Sequence, residues 1–344
     1  MAQIDKIISE DLLYAENCPF LPWTDLEGKT VLITGGTGLI GQTAAKTLLN
    51  HGGIRVLLPV RDLSKAECIY ANTSKDQMQP VFIPGSLEQL PAIDEPVDFI
   101  IHGAAPTTSS YFVDHPVETI QSIVHGTEKL LELGRQKAVR GMAVLSSMEV
   151  FGEIHSEEPL DETAVGYLDP VKVRSSYPEA KRLMETLCCA YANEYGLPVS
   201  VVRLAQTFGP GVTKEDKRVF AWMTNCALNG EDIRLNTSGS KKNPYLYTMD
   251  AVTAILLVLC KGARGETYTA ANPDTYCSVK EMAEIVAETL GEGKIRIYIN
   301  CGGDTSNFRP EGTLNLDAGK LMNLGWRPNY DLPEMYRRLA VGMV

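Results

Sequence analysis

The amino-acid sequence predicts an α/β fold built on a doubly wound parallel sheet, and three observations carry that prediction. Short apolar runs at 31–33, 55–60, 81–83, 99–102, 142–146 and 199–204 alternate with amphipathic stretches at 42–50, 117–133 and 179–195. That pattern belongs to parallel strands joined by helices that cover both faces of a sheet. A glycine-rich segment, Thr34-Gly-Gly-Thr-Gly-Leu-Ile-Gly41, follows the first run directly. Beyond about Gln206 the rhythm loosens, with Gly-Pro-Gly at 209–211 and shorter elements.

In chain order, residues 1–28 precede the first strand and hold Pro19, Pro22 and Trp23, which suits an added arm outside the sheet. Residues 29–205 read as a dinucleotide-binding domain of Rossmann type. Its first strand runs into Gly35, Gly38 and Gly41, with a helix starting near Leu39. Glycine is needed there for a sharp bend and for close approach of backbone to ligand. The helix start offers free N–H groups and a positive dipole end to a pyrophosphate. Residues 206–344 read as mainly a substrate-binding lobe over the carboxyl ends of the strands, where open α/β sheets bind ligands; some of its elements could return to the sheet. The apolar run at 251–260 is half of what a bilayer needs and reads as a buried helix.

The chain has 344 residues, 44% hydrophobic and 22% charged, and a net charge of −11. That balance speaks against nucleic acid or an anionic membrane as the main partner. Eight cysteines in a chain this long form no disulfide framework and show no metal-ligand spacing; no metal is expected. The adjacent Cys188 and Cys189 fit reduced thiols, and no apolar signal core opens the sequence, so a soluble cytoplasmic protein is expected.

The chemistry concentrates mid-chain. Tyr177-Pro-Glu-Ala-Lys181 places a phenol and an ammonium four apart on one helix face. A phenol near pKa 10 is a poor base, and lowering it by about 3 units takes roughly 4 kcal/mol. Lys181, joined by an oxidised nicotinamide ring, is the expected source of that charge. Ser147 ends a predicted strand and is placed to hold a substrate oxygen while Tyr177 takes its proton and hydride passes to the nicotinamide.

With His102-Gly-Ala-Ala105, Ser147-x-x-Val-Phe-Gly152, Arg203-Leu-Ala-Gln-Thr-Phe-Gly-Pro210, Tyr247-Thr-Met-Asp250, Arg309-Pro and Leu324-Gly-Trp326 added, residues 29 to 330 resemble an extended short-chain dehydrogenase/reductase. The resemblance is to the branch of nucleotide-sugar epimerases, dehydratases and decarboxylases. It implies a homodimer with tightly held NAD or NADP, transient oxidation of a nucleotide-diphosphate sugar, usually at C4, and a second step on the ketone. It carries over Ser147, Tyr177 and Lys181 as the catalytic triad, and Glu149 either as the second-step residue of dehydratases and decarboxylases or as a structural acid that bonds backbone N–H groups. It sets the cofactor against Gly35, Thr37, Gly38, Leu39, Ile40, Gly41, Arg61, Ser86, Leu87, Gly103, Ala104, Ala105, Tyr177, Lys181 and Leu204. The substrate falls to Thr107, Ser147, Gln206, Tyr247 and Arg309, the last as a clamp on the diphosphate.

Several positions depart from that pattern. Val60 and Arg61 stand where NAD-preferring relatives end the second strand with an acid; an arginine there suits the 2′-phosphate of NADP or equally a solvated surface position. Ser86 replaces a frequent Asp, Ile123 and Gln206 replace Asn, and Asn243 replaces an Arg. Glu149 matches the glutamate of 4,6-dehydratases and glucuronate decarboxylases. The dehydratases' preceding aspartate is Met148 here, and a thioether donates no proton. The expected order of readings is 4-epimerase, then dehydratase or decarboxylase, then an NADPH-dependent keto-sugar or polyol-nucleotide reductase, and last a non-catalytic dinucleotide sensor.

Overall fold

The structure, a computed structural model, describes residues 2–71, 78–87, 90–300 and 313–343. Two helices, α1 (Ala2–Glu16) and α2 (Trp23–Leu26), precede the first strand. There follow β1 (Thr30–Thr34), α3 (Leu39–His51), β2 (Arg55–Val60), α4 (Leu63–Tyr70), β3 (Val81–Pro84) and β4 (Phe99–His102). The second half of the sheet brings α5 (Ser109–Asp114), α6 (Pro116–Lys137), β5 (Gly141–Ser147), β6 (His155–Leu160), α7 (Ser176–Tyr195) and β7 (Val199–Leu204). Next come β8 (Gln206–Phe208), α8 (Val219–Asn229), β9 (Ile233–Leu235), β10 (Lys242–Tyr247), α9 (Thr248–Lys261) and β11 (Thr267–Ala270). The chain closes with β12 (Asn272–Ser278), α10 (Val279–Thr289), β13 (Ile297–Ile299), β14 (Thr313–Leu316), α11 (Gly319–Asn323) and α12 (Leu332–Met343).

Seven strands make one sheet in the order β11-β7-β5-β4-β1-β2-β3, and every neighbouring pair is parallel. The winding reverses between β1 and β4. Connections leave those two strands in opposite directions, which opens a crevice at their carboxyl ends. Side chains alternate across the sheet, so each apolar run serves two cores at once. Leu32, Leu57, Ile100 and Val144 pack toward α6 and α7. Val31, Ile33, Leu58, Ile101 and Leu145 pack toward α3 and α9. The apolar run at 251–260 is the buried helix α9 beneath the sheet.

Later residues return to the sheet, as β11 forms its edge beside β7. The small lobe rests on β10, paired parallel to β8 and antiparallel to β12. Residues 2–28 lie outside the sheet and pack against helices that cover it. Ala15, Cys18, Leu21 and Leu26 are buried, and α1 lies against α3 and α12. Asp11 on α1 accepts from Tyr247 (2.7 Å), Tyr330 (3.0 Å) and Arg338 (2.9 Å). Among the described residues, no helix is long and apolar enough to cross a membrane.

Candidate functional site

The glycine turn meets the steric demands of a dinucleotide cradle. Gly35 has φ +76°, a left-handed conformation, and a Cβ there would stand 2.9 Å from the Gly103 carbonyl carbon. The turn after β1 therefore touches the turn after β4 backbone to backbone. A Cβ at Gly41 would stand 2.2 Å from the Gly35 oxygen, so the start of α3 can approach the turn only as glycine. Gly38 caps α3 without a side-chain bond. The amides of Leu39, Ile40 and Gly41 therefore lack partners within the helix and suit a pyrophosphate. Thr37 lies in this turn, while Ala104, Ala105 and the exposed Thr107 follow β4.

His102 fastens the two turns together. The Thr34 hydroxyl lies 2.7 Å from its Nδ1, and Thr34 Oγ1 accepts from the Ala104 amide. Its Nε2 lies 3.1 Å from Thr127, whose hydroxyl proton goes to the Ile123 carbonyl. That assigns the ring proton to Nε2. Burial, with the Lys181 charge, holds His102 down to about 3, so the imidazole stays neutral.

Ser147, Glu149, Tyr177 and Lys181 come together at the carboxyl end of β5. Ser147 ends that strand, and its oxygen accepts the Glu149 amide at 3.2 Å. Tyr177 lies in the first turn of α7, buried, with Ser147 in hydrogen-bond contact. Lys181, one turn later, donates to the Leu145 carbonyl at 2.7 Å and stands 6.0 Å from the Tyr177 ring centre. Burial pushes its ammonium down to about 8, against the Glu185 carboxylate.

The expected lowering of Tyr177 is not met by the protein's own groups. Burial and the Glu149 carboxylate push the phenol up, and Ser147 and Arg174 pull it down by less. Among the described residues, the Arg174 cation pulls the phenol down, while the Lys181 ammonium is bonded to a backbone carbonyl.

Two residues here escaped the sequence reading. Arg174 Nη2 donates to Glu149 Oε1 at 2.9 Å, with the two side chains only 12% and 18% exposed. Its guanidinium lies 5.1 Å over the Phe112 ring, and Phe112 stacks on Tyr177 at 4.2 Å and 7°. Arginine, phenylalanine and tyrosine thus form one layered stack that shields the phenol from water. Among the described residues, Glu149 Oε2 and Arg174 Nε are buried without a hydrogen-bond partner. Arg174 stands three before Tyr177, a spacing that could have drawn attention; Phe112 carries no such signal.

The other expected residues scatter. Arg61 is exposed just past β2, while Ser86 and Leu87 are half-buried after β3. Leu204 ends β7, buried, and the half-buried Gln206 begins β8. Tyr247 is a correction: it is wholly buried and its hydroxyl donates to Asp11 on α1, which leaves no surface for substrate. Asn243 and Ile123 are buried as well. Arg309 lies outside the described residues. Among the described residues, no group of three His, Cys, Asp or Glu could hold a metal.

The NAD dependent epimerase/dehydratase family model matches residues 31–272. UDP-glucuronic acid decarboxylase 5 of Arabidopsis thaliana is 29% identical over 312 residues, covering 88% of this chain and 86% of that protein. UDP-glucuronic acid decarboxylase 1 of Danio rerio is 26% identical over 342 residues, covering 96% of this chain and 76% of that protein. The crystal structure of a UDP-glucose 4-epimerase from Thermotoga maritima, with UDP-glucose, superposes with a TM-score of 0.75 at 23% identity. That superposition covers 91% of this chain and 98% of that one.

Proposed function

Because the chain belongs to the NAD-dependent epimerase/dehydratase family, we propose that it oxidises a nucleotide-diphosphate hexuronate at C4 and removes its carboxylate as carbon dioxide. The product is then the nucleotide-diphosphate pentose, and UDP-glucuronate, named in the relatives above, is the first substrate to test. One observation carries this reading. Glu149 stands beside Tyr177 as a charged partner of Arg174, with its second oxygen buried and unpartnered among the described residues. A purely structural acid would have both oxygens bonded. A 4-epimerase needs no carboxylate there, and a dehydratase needs a proton donor where the buried Met148 stands.

A bound nicotinamide supplies the hydride acceptor at C4 and returns the hydride at the end. Ser147 holds the C4 oxygen and Tyr177 takes the C4 hydroxyl proton at its phenolate oxygen. The cations of the site hold that phenolate within reach, against burial. Loss of carbon dioxide from the 4-keto acid leaves the electron pair of the broken C5–C6 bond on C5, spread into the C4 carbonyl. Tyr177 hydrogen-bonds that oxygen. Glu149, 18% exposed, takes up a proton from solvent and passes it to C5, so its carboxylate is restored at the end.

The second reading is a 4-epimerase. It is favoured by Asn243, buried on β10 where the resemblance gives decarboxylases an arginine. Incubation with UDP-glucuronate separates the two. A nucleotide pentose with carbon dioxide is the expected outcome, whereas an isomer of unchanged mass supports the epimerase. Exposed apolar side chains on the paired helices α6 and α7, including Val117, Ile120 and Leu183, support a homodimer, which size-exclusion chromatography with light scattering checks.

A further inference from the structure

We propose that Arg182 is a positioning residue for the second step: it holds Glu149 and Arg174 against the helix that carries Tyr177, so proton delivery to C5 depends on it and oxidation at C4 does not. This role rests on the decarboxylase reading above, and Arg182 fills it through Glu149 rather than by touching the sugar.

Glu149 lies in a single 3-10 turn, Met148–Phe151, between the end of β5 and Gly152 at φ +73°. One turn of this kind makes few and poorly aligned bonds of its own, so its place depends on outside partners. The Glu149 carbonyl accepts from the Gly152 amide at 3.1 Å, and that of Phe151 accepts from the Gly166 amide at 2.7 Å. The carbonyl between them, that of Val150, accepts from Arg182 Nε at 2.8 Å.

The same guanidinium reaches the neighbouring stretch. Arg182 Nη2 donates to the Gly166 carbonyl, also at 2.8 Å. Gly166 and Tyr167 lie backbone to backbone against the segment that follows the turn. A Cβ on Gly166 would stand 2.4 Å from the Glu153 oxygen, and one on Gly152 would stand 2.7 Å from the Tyr167 oxygen. From Tyr167 the chain runs on to Arg174, the ion-pair partner of Glu149. One side chain of α7 therefore ties down both the turn that carries Glu149 and the segment that leads to Arg174. Nε and Nη2 form one planar edge of the guanidinium, which suits two carbonyls held side by side; lysine has no such edge.

The groups of the first step are held by other means. Ser147 pairs with Leu204 within the sheet, Lys181 is bonded to the Leu145 carbonyl, and Tyr177 is stacked on Phe112. None of these contacts passes through Arg182.

Arg182→Met removes both donors and keeps the apolar stem. With holoenzyme and UDP-glucuronate, rapid-mixing absorbance of the reduced nicotinamide reads C4 oxidation, and quenched samples read the pentose. The variant should oxidise the sugar at near the wild-type rate and form pentose about tenfold to a hundredfold more slowly, the cost of misplacing a reacting group by about 1 Å. Reduced nicotinamide should build up meanwhile. In deuterated water the wild type should label one of the two C5 positions and the variant both, because the proton no longer arrives from one fixed face. Arg182→Lys, which keeps the charge and one donor group, should recover part of the pentose rate.

Hydrogen exchange needs no substrate. The Glu149 and Gly152 amides should exchange at least about tenfold faster in Arg182→Met, while the β5 amides keep the wild-type rate and so report an intact fold. Should Arg182→Met fail to fold, Arg182→Lys takes the same measurements, with smaller changes in the same direction. Equal slowing of oxidation and pentose formation, or unchanged exchange at Glu149 and Gly152, overturns the proposal. A wild type that makes no pentose overturns the decarboxylase reading instead, and the exchange result then decides for or against Arg182.

Discussion

Replacing Arg174 with methionine removes the cation from the stack while keeping length and an apolar contact with Phe112. The pair it breaks is short, 2.9 Å, between side chains 12% and 18% exposed. Removing one partner of a buried ion pair costs about 3–5 kcal/mol, because the other charge is left behind. Both groups here keep some solvent contact, so Arg174→Met should cost about 2–3 kcal/mol. Glu149→Gln keeps a neutral acceptor for Arg174 and should cost less. With both changes no unpaired charge remains. The double variant should therefore be more stable than the sum of the single losses by roughly 1.5–3 kcal/mol.

Urea unfolding of the four proteins gives that coupling energy. The same set gives a kinetic readout that a purely structural role would not move. Arg174 is one of the groups pulling the Tyr177 phenol down. Its loss should therefore move the acidic limb of the kcat/KM profile to higher pH. Additive stability losses together with an unmoved limb would refute the account of this pair.

The remaining expectations concern the phenol and the buried carboxyls. Tyr177→Phe removes the proton acceptor and keeps the ring stacked on Phe112, so turnover should fall by about 10²–10⁴ with nucleotide binding retained. Burial pushes the Asp250 carboxyl from 3.8 up to about 7, against the Asn329 and Tyr330 amides that bond it. The folded chain therefore holds this proton more tightly than the unfolded chain. Its contribution is full below the unfolded value and is lost as pH rises through the folded one. Relative to Asp250→Asn, the wild type should lose on the order of 1 kcal/mol per pH unit between about pH 5 and 7, and nothing further above about pH 8. Chemical unfolding at several pH values measures that slope, and a flat difference across the range would contradict the assignment.

What was legible in the sequence was local. Strand and helix each impose a period that a short window reveals, so the apolar runs of the first half fall where β1 to β5 and β7 lie. The glycine turn was readable for the same reason, since its steric demands fall on adjacent residues. Spacing along one strand end and one helix face singled out Ser147, Tyr177 and Lys181, which the structure brings together at the carboxyl end of β5. The rest depends on contacts between distant segments. Asp11 meets Tyr247, Tyr330 and Arg338 across the length of the chain, and no pattern within residues 1–28 announces those partners. The same contact explains why Tyr247 was misplaced, because its motif fixes the position but not which way the hydroxyl turns. The pairing of Glu149 with Arg174 joins a strand end to the approach of another helix. The edge strand β11 is short and lies in the half where the alternation had already loosened.

The central claim is that Glu149 handles a proton at C5 of the sugar, and reaction in deuterated water tests it most directly. With UDP-glucuronate, the pentose product should carry one solvent deuterium at C5, read by proton NMR. Glu149→Gln should lower its rate of formation by about a hundredfold or more. A product that keeps its carboxylate and gains no deuterium at C5, made at near-normal rate by Glu149→Gln, would contradict the account.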